Sequence, residues 1–317
     1  MNGVSWVGSP HVVTSKDFIP LKNIHSNWIV QTPFGWQKGI NSPEVHLSVG
    51  DKYYWGESDT GLIETNKLAL KDGIKTLLKP HIWLTKANGK WRSDIKMNSE
   101  EEWDKWFSSY ETFIIHYAKL AEKGNFEALS IGTELHQTIL LHPEKWRKII
   151  KSIRSVYKGK LTYAGNWYKE FSEVTFWDDL DYIGVQGYFP LTKNNKPNLE
   201  ELNTGWKKYK DELKALSQKY NKPVIFTEIG YKSTSDAAIE PWLWPKRSDL
   251  QNKTIDFNTQ KIAYEAVFQT FWNEPWVKGV FFWKWFPDHQ SIKGKRAHGF
   301  TPQHKPAEKV IKKWFSK

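Results

Sequence analysis

Two carboxylates stand at the ends of short apolar runs, and their positions predict a pair of acids that work together. Glu134 follows the largely apolar run 128–131 and a Gly-Thr step, and Glu228 follows the run 224–226 and another Thr. A strand buried in a parallel sheet reads as a continuous apolar run, and a carboxylate at its end is costly unless it meets an open cavity. The repeated pattern therefore predicts two acids that face one cavity, rather than two unrelated strand ends that meet solvent.

Paired carboxylates on different strands are what glycoside hydrolysis requires. One acid protonates the departing oxygen, and the other attacks the anomeric carbon or activates water. If Glu134 ends the fourth strand of a barrel and Glu228 the seventh, the two carboxyl groups face each other across its mouth. A separation of about 5–5.5 Å would then give retention of configuration through a covalent intermediate.

The elements that must position these acids alternate between strands and helices along the chain. Strands are expected at 4–7, 27–33, 74–83, 128–131, 161–166, 181–188, 224–226 and 277–285, and helices at 17–23, 62–72, 99–123, 143–159, 199–220, 259–272 and 306–315. Such alternation favours parallel βαβ units, and eight of them predict a closed (β/α)8 TIM barrel with its active site at the C-terminal ends of the strands. No linker composition marks a second domain, so one barrel is expected over residues 1–317. Long loops at 34–60 and 233–258 are expected to be functional.

Composition narrows the class of protein. The chain has 317 residues, enough for one large α/β barrel with insertions. No apolar run approaches the roughly 18 residues that a membrane span needs. The absence of cysteine excludes disulfides, thiolate metal sites and thiol nucleophiles, and no His-Glu-x-x-His helix suggests a catalytic metal. Neither a metal nor a cofactor is therefore expected.

The formal charge of +11 raises the question of an anionic partner. The lysines are spread along the chain, and those at 145–154 alternate with apolar residues on a predicted helix. This pattern favours a solvated basic face over a nucleic-acid patch, and the protein is expected to be a monomer that binds no nucleic acid. The first residues carry no basic and apolar export signal. We expect an extracytoplasmic protein whose signal segment is not part of this sequence, with a cytoplasmic location left open.

Tryptophan is unusually frequent, at 19 residues, and aromatic residues make up 15% of the chain. Flat indole faces suit the C–H faces of sugar rings. The aromatic content therefore agrees with a carbohydrate substrate.

Four segments resemble one known family. The segments 131–135, 181–190, 226–231 and 283–285 are similar to those of glycoside hydrolase family 113, a member of clan A whose known members are β-mannanases. The resemblance covers nearly the whole chain. It implies retaining, double-displacement hydrolysis of β-1,4-mannosidic linkages in mannan, glucomannan or mannooligosaccharides, so the expected partner is a β-linked oligosaccharide or polysaccharide.

The resemblance also implies roles for individual residues. Glu134 matches the acid/base and Glu228 the nucleophile. Tyr188 matches a tyrosine that hydrogen-bonds the nucleophile, and Trp283 matches the aromatic floor beneath the sugar at the point of cleavage. Further candidates for contact with the sugar, each weighed against plain packing, are His81, His136, Trp36, Trp167, Tyr231 and Trp244.

The sequence departs from the clan pattern at two positions. Thr133 stands where many members have an Asn that binds the sugar 2-hydroxyl, and either Thr133 or Asn166 is a candidate for that contact. Gln186 stands where many members have His, and it is a further substrate-binding candidate. Two alternatives therefore stay open: a non-catalytic sugar-binding barrel, and a retaining β-glycosidase of the same clan with a different substrate.

Overall fold

Eight parallel strands close into a barrel, and three further strands form a small sheet at its C-terminal side. The structure is a computed structural model that describes residues 1–47, 54–244, 254–288, 291–292 and 295–317. In chain order its strands are β1 (Asn2–Trp6), β2 (Trp28–Gln31), β3 (Phe34–Gln37), β4 (His46–Leu47), β5 (Lys75–Leu78), β6 (His81–Leu84), β7 (Ala128–Thr133), β8 (Lys160–Asn166), β9 (Tyr182–Gln186), β10 (Val224–Ile229) and β11 (Val277–Trp285). The barrel order is β1-β11-β10-β9-β8-β7-β5-β2, which confirms the predicted (β/α)8 fold.

Helices connect the barrel strands. They are α1 (Ile19–Asn23), α2 (Asp59–Lys71), α3 (Glu100–Gly124), α4 (His136–Leu141), α5 (Pro143–Val156), α6 (Glu170–Glu173), α7 (Leu199–Tyr220), α8 (Phe257–Phe271), α9 (Lys295–His298) and α10 (Pro306–Phe315), with 3-10 turns η1 (Ser15–Phe18), η2 (Trp55–Glu57), η3 (Arg92–Asp94) and η4 (Trp177–Asp179). Ser99 caps the long helix α3 by accepting a hydrogen bond from the Glu102 amide at 3.2 Å. In the described part of the chain, no helix is both long enough and apolar enough to cross a bilayer.

The end of the barrel at which its strands begin is filled by packed side chains. Its interior holds one apolar cluster, formed by Trp28, Val30, Leu77, Ala128, Ile225 and Phe281. Gly3 on β1 permits this packing, since a Cβ there would come within 2.2 Å of the Phe281 ring. Burial of each large side chain contributes about 1.5–3 kcal/mol. Because this end of the barrel is filled, the open cavity lies at the other end, where the strands terminate.

Helix α5 confirms the predicted solvated basic face. Trp146 and Ile153 are buried against the barrel, while the basic residues meet acidic side chains at the surface. Arg147 donates to Asp178 at 3.0 Å, and Arg154 donates to Asp181 at 2.6 Å. The positive charges of this helix are thus partly neutralised within the chain.

The predicted third strand, 74–83, is wrong in its extent. The chain forms β5 in the barrel, leaves it at Lys79 and Pro80, and then enters β6 of the small sheet. Proline lacks an N–H and restricts the residue before it, so a continuous ladder through Pro80 is disfavoured. The break matters for function, because it places Lys79 at the mouth of the barrel.

The two stretches predicted as long loops differ in the structure. The stretch 34–60 is not a plain loop, since it contains β3, β4 and η2, and its residues 48–53 lie outside the described part of the chain. β3 pairs with β6 in parallel, an arrangement that depends on sequence-distant partners. The stretch 233–258 has no strand in its described part beyond an isolated bridge between Thr234 and Ile255. Its residues 245–253 are likewise outside the described range.

Candidate active site

The C-terminal end of the barrel holds a cavity of about 880 Å³. Both predicted acids, Glu134 and Glu228, line it, and both are almost fully buried. The strands that carry them pair irregularly next to the acids: β7 shifts register against β8 between Ser130 and Thr133, and β10 shifts against β9 between Phe226 and Glu228. Such bulges re-aim side chains at the rim of a barrel, and here the re-aimed side chains reach the cavity.

Glu134 directly follows β7 and has a left-handed backbone with φ 53°. A non-glycine residue in this region is strained, a feature common at functional sites. Three donors hold its carboxylate: Trp91 Nε1 lies 2.8 Å from Oε2, Arg92 Nε lies 3.2 Å from the same oxygen, and Asn166 Nδ2 lies 2.7 Å from Oε1. Because these donors come from two separate segments, the turn at Trp91 and Arg92 and the end of β8 at Asn166, they fix the orientation of the carboxylate in the cavity.

Glu228 lies within β10 and has a different set of partners. The ammonium of Lys79 donates to its Oε1, and the hydroxyl of Tyr188 donates to Oε2 at 2.9 Å. His81 Nε2 lies 3.6 Å from Oε1. The ammonium and the hydroxyl therefore hold one oxygen each of this buried side chain.

Lys79 is fully buried and is the cation closest to Glu228. Its ammonium also donates to Gln186 Oε1 at 3.2 Å and to the Thr227 carbonyl at 3.3 Å. Burial lowers the pKa of Lys79, whereas the negative charges of Glu228 and Glu134 act in the opposite direction. Both carboxylates are thus close enough to the same ammonium to influence it, which places the two acids in one electrostatic unit.

His81 lines the cavity in a neutral form. Burial, followed by the positive charges of Arg92 and Lys79, holds the pKa of His81 well below its usual range. Its Nε2 makes no hydrogen bond within the described residues. The imidazole therefore lies beside Glu228 without adding a third positive charge.

Aromatic rings form the walls of the cavity. Trp83 and Trp91 meet edge to face with centroids 6.3 Å apart, and Trp167 stacks on Trp242 at 4.6 Å. Trp283 lies near the two acids, with the Lys79 ammonium 6.0 Å from its centroid. These rings present flat apolar surface next to hydrogen-bonding groups, a combination that suits sugar rings.

Most of the predicted site residues converge on this cavity. Those that line it are Glu134, Glu228, Tyr188, Trp283, Asn166, Gln186, His81, His136, Trp167 and Trp244. Trp36 and Tyr231 are not among its lining residues: Trp36 lies on β3 of the small sheet, and Tyr231 is fully buried against Tyr264. Thr133 does not line it either, and its hydroxyl donates to the Pro80 carbonyl at 3.4 Å. Of the two candidates for contact with the sugar 2-hydroxyl, Asn166 and not Thr133 therefore lines the cavity.

Several residues in or beside the cavity were not predicted from the sequence. Lys79 could have been found, because it is a charged residue at the end of an apolar strand, which is the same signal that marked the two acids. Trp91 and Arg92 come from an irregular segment with no periodic pattern. Glu170, which is part of the cavity wall but fully buried, lies on a helix of four residues that no sequence pattern indicates.

The described residues of the cavity include no cluster of side chains suited to a metal ion. Within the described ranges, no group of three or more His, Cys, Asp or Glu side chains is placed to bind one. The charged groups in the cavity face one another instead, as in the pairs of Lys79 with Glu228 and Arg92 with Glu134.

Solved structures of the same fold and length resemble this chain. A GH113 β-1,4-mannanase in a complex is 28% identical, with a TM-score of 0.84, over 100% of this chain and 99% of that one. A second structure of a GH113 β-1,4-mannanase is 29% identical, with a TM-score of 0.83, over 99% and 98%. The GH113 β-mannanase AaManA from Alicyclobacillus acidocaldarius, in complex with ManMIm, is 26% identical, with a TM-score of 0.83, over 100% and 97%.

Sequence comparison points to the same family. No curated protein sequence matches the chain. The profile of Glycoside Hydrolase Family 113, however, matches residues 11–316, nearly the full length. The barrel, the cavity with its two carboxylates and this match agree with one another, and the chain belongs to glycoside hydrolase family 113.

Proposed function

We propose that this glycoside hydrolase cleaves β-1,4-mannosidic linkages with retention of configuration, with Glu228 as the nucleophile and Glu134 as the acid/base. The observation that carries the proposal is the convergence of two buried carboxylates on one cavity, each with its own partners. The substrate assignment follows from the names of the similar solved structures, which are β-mannanases.

In the first step a carboxylate oxygen of Glu228 bonds to the anomeric carbon while the bond to the departing oxygen breaks. Glu134 transfers its proton to that oxygen and becomes a carboxylate. Arg92, Trp91 and Asn166 all have donors within 3.2 Å of the Glu134 oxygens. Donors that face a developing charge are already in place when it forms, which lowers the barrier.

In the second step a water molecule attacks the anomeric carbon of the glycosyl-enzyme. Glu134 now accepts a proton from this water, and the bond to Glu228 breaks, which restores both acids. Lys79 and Tyr188 stabilise the Glu228 carboxylate as it departs, because each donates a hydrogen bond to one of its oxygens.

Asn166 is the candidate for contact with the sugar 2-hydroxyl, since its amide lies in the cavity and is fixed against Glu134. Trp283 is the candidate floor beneath the sugar, since it lines the cavity close to Lys79. Gln186 is held by Lys79 and by the Thr227 hydroxyl at 3.0 Å, so its first role is to position the ammonium beside the nucleophile.

Azide as an external nucleophile distinguishes the two acids. In Glu134→Ala the glycosyl-enzyme still forms from an activated aryl β-mannobioside, and azide attacks it to give a β-mannobiosyl azide with a restored rate. In Glu228→Ala azide takes the place of the missing nucleophile and gives the α product. Exchange of these two products between the variants would reverse the assignment, and products of inverted configuration from the wild type would exclude retention.

The substrate class is tested with mannan, glucomannan, cellulose and mannooligosaccharides, followed by sizing of the products. We expect turnover of the mannose-containing substrates and none of cellulose. Binding of mannooligosaccharides without turnover, unchanged in Glu228→Ala, would instead favour the non-catalytic sugar-binding barrel.

A further inference from the structure

A third acid, Glu170, is part of the cavity wall but has no exposed surface. The hydroxyl of Tyr163 donates to its Oε1, and the backbone amide of Asn166 donates to its Oε2 at 3.0 Å. Burying a carboxyl group is unfavourable unless it is hydrogen-bonded. A position this costly, held by two specific donors, calls for a role beyond filling space.

Both donors lead to Glu134 by separate routes. On one side the Tyr163 hydroxyl accepts a hydrogen bond from the Leu135 amide at 2.7 Å, and Leu135 is the residue that follows Glu134. On the other side the side chain of Asn166 donates to Glu134 Oε1 at 2.7 Å. Glu170 therefore connects two sets of contacts to Glu134, one through the backbone at Leu135 and one through the side chain of Asn166.

The backbone of Glu134 explains why such support is needed. Its φ of 53° is a conformation that L-residues with a side chain rarely adopt, and it persists only where the surrounding contacts impose it. The Glu134 amide donates to the Ala164 carbonyl on β8 at 3.0 Å. The contact between Leu135 and Tyr163 restrains the peptide on the other side of the same residue.

We propose that Glu170 and Tyr163 form a positioning unit for the acid/base, holding the carboxyl group of Glu134 where it can protonate the departing oxygen. This inference deepens the proposed function and rests on the assignment of Glu134 as the acid/base. Neither Glu170 nor Tyr163 contacts the reacting atoms in this role; both act through Leu135 and Asn166.

The test uses two substrates with one sugar and different leaving groups, phenyl β-mannobioside and 2,4-dinitrophenyl β-mannobioside. The phenol needs a proton to depart, whereas the dinitrophenol does not, so the ratio of the two kcat/KM values reports proton donation. Both values come from the same sample, so a reduced fraction of folded protein cancels in the ratio. General acid catalysis is worth about 10²–10⁴-fold, and we expect Glu134→Ala to raise the ratio of dinitrophenyl to phenyl by this amount.

Glu170→Gln keeps the shape of the side chain but can no longer accept from both donors, and Tyr163→Phe removes the contact to the Leu135 amide. We expect each variant to raise the ratio about 10-fold, since small displacements of a catalytic group reduce rates strongly. The double variant should raise it no further than the stronger single variant, because one network is broken in each case.

Tyr157→Phe is the matched control. Its buried hydroxyl donates to the carbonyl of Phe126 at 2.7 Å. Phe126 precedes the N-terminal end of β7, away from the cavity, so the ratio of this variant should equal that of the wild type. If Glu134→Ala raises the ratio while Glu170→Gln and Tyr163→Phe leave it unchanged, the positioning unit is rejected and the proposed function stands. If Glu134→Ala itself leaves the ratio unchanged, the acid/base assignment fails, and this inference fails with it.

Discussion

Lys79 donates a hydrogen bond to Glu228, although the two residues are 149 positions apart in the sequence. Lys79 follows β5 and Glu228 lies on β10, and the closed barrel brings their side chains together in a buried site. Removing one partner from a buried ion pair leaves the other charge uncompensated, which typically costs about 3–5 kcal/mol. The pair therefore contributes both to the stability of the barrel mouth and to the position of the proposed nucleophile.

Replacing Lys79 by Met should reduce both activity and stability. Glu228 would lose the ammonium and, among the described residues, keep the Tyr188 hydroxyl as its hydrogen-bond donor. We therefore expect kcat/KM on mannooligosaccharides to fall about 100-fold, in line with an interaction of a few kcal/mol. Steady-state kinetics and thermal unfolding measure the two effects.

Lys75→Met is the control for that prediction. Lys75 is the first residue of β5, the strand that Lys79 follows. It pairs with Glu127 at 3.2 Å, but both side chains are close to half exposed. An exposed ion pair contributes little, so this variant should keep wild-type activity and unfold within a few degrees of the wild type. Equal losses in the two lysine variants would contradict a specific role for Lys79.

Replacing Tyr188 by Phe should lower kcat more than it changes KM. The substitution removes the hydroxyl that donates to Glu228 Oε2 at 2.9 Å. A hydrogen bond to a charged group contributes about 1.5–3 kcal/mol, which corresponds to a loss of about 10- to 100-fold. Tyr231→Phe serves as the control, because the Tyr231 hydroxyl is buried without a hydrogen-bond partner in the described structure. Loss of activity in Tyr231→Phe would instead restore Tyr231 as a substrate-binding residue.

Replacing Trp91 by Phe distinguishes the contribution of the indole N–H from that of the apolar ring face. The phenyl ring keeps an apolar face towards the cavity but loses the N–H that donates to Glu134 at 2.8 Å. We expect kcat/KM for phenyl β-mannobioside to fall about 10-fold while that for the dinitrophenyl substrate is retained, since only the former needs the acid. Trp83→Phe changes the neighbouring ring, which makes no hydrogen bond to Glu134 in the described structure, and should affect KM alone.

Glu170 should make stability depend on pH between 4.5 and 8. Burial raises the pKa of Glu170 from 4.5 to about 8 in the folded chain. The negative charge of Glu134 also raises this pKa, whereas the hydrogen bonds from Tyr163 and Asn166 and the positive charge of Arg92 lower it. Between these values the unfolded chain releases this proton while the folded chain keeps it. The stabilisation is therefore fully present below pH 4.5 and is lost as the pH rises towards 8.

The measurement for Glu170 is the melting temperature of the wild type and of Glu170→Gln at several pH values. Glutamine does not titrate. As the pH rises from 4.5 to 8, the melting temperature of the wild type should therefore fall relative to that of Glu170→Gln. A difference that stays constant over this range would show that Glu170 does not hold a proton in the folded chain.

Local patterns in the sequence were sufficient for the barrel and for its two acids. The helix Leu199–Tyr220, the strand Val277–Trp285 and the helix Pro306–Phe315 have the predicted limits, because each is bounded by clear turn residues or by a change in hydrophobic period. Glu134 and Glu228 were found because a charge at the end of an apolar strand is informative without knowledge of its partners. The family resemblance then added the roles of Tyr188 and Trp283, both of which line the cavity.

Only the tertiary structure decided which other side chains reach the two acids. The position of Lys79 beside Glu228, and of Trp91 and Arg92 beside Glu134, results from closure of the barrel and from an irregular segment folded across its mouth. Tyr231 shows the reverse case, since an aromatic residue next to a strand end is buried in packing and does not line the cavity. A sequence pattern reports which face of an element is apolar, but it contains no distance between elements, and the partners of a buried charge are set by that distance.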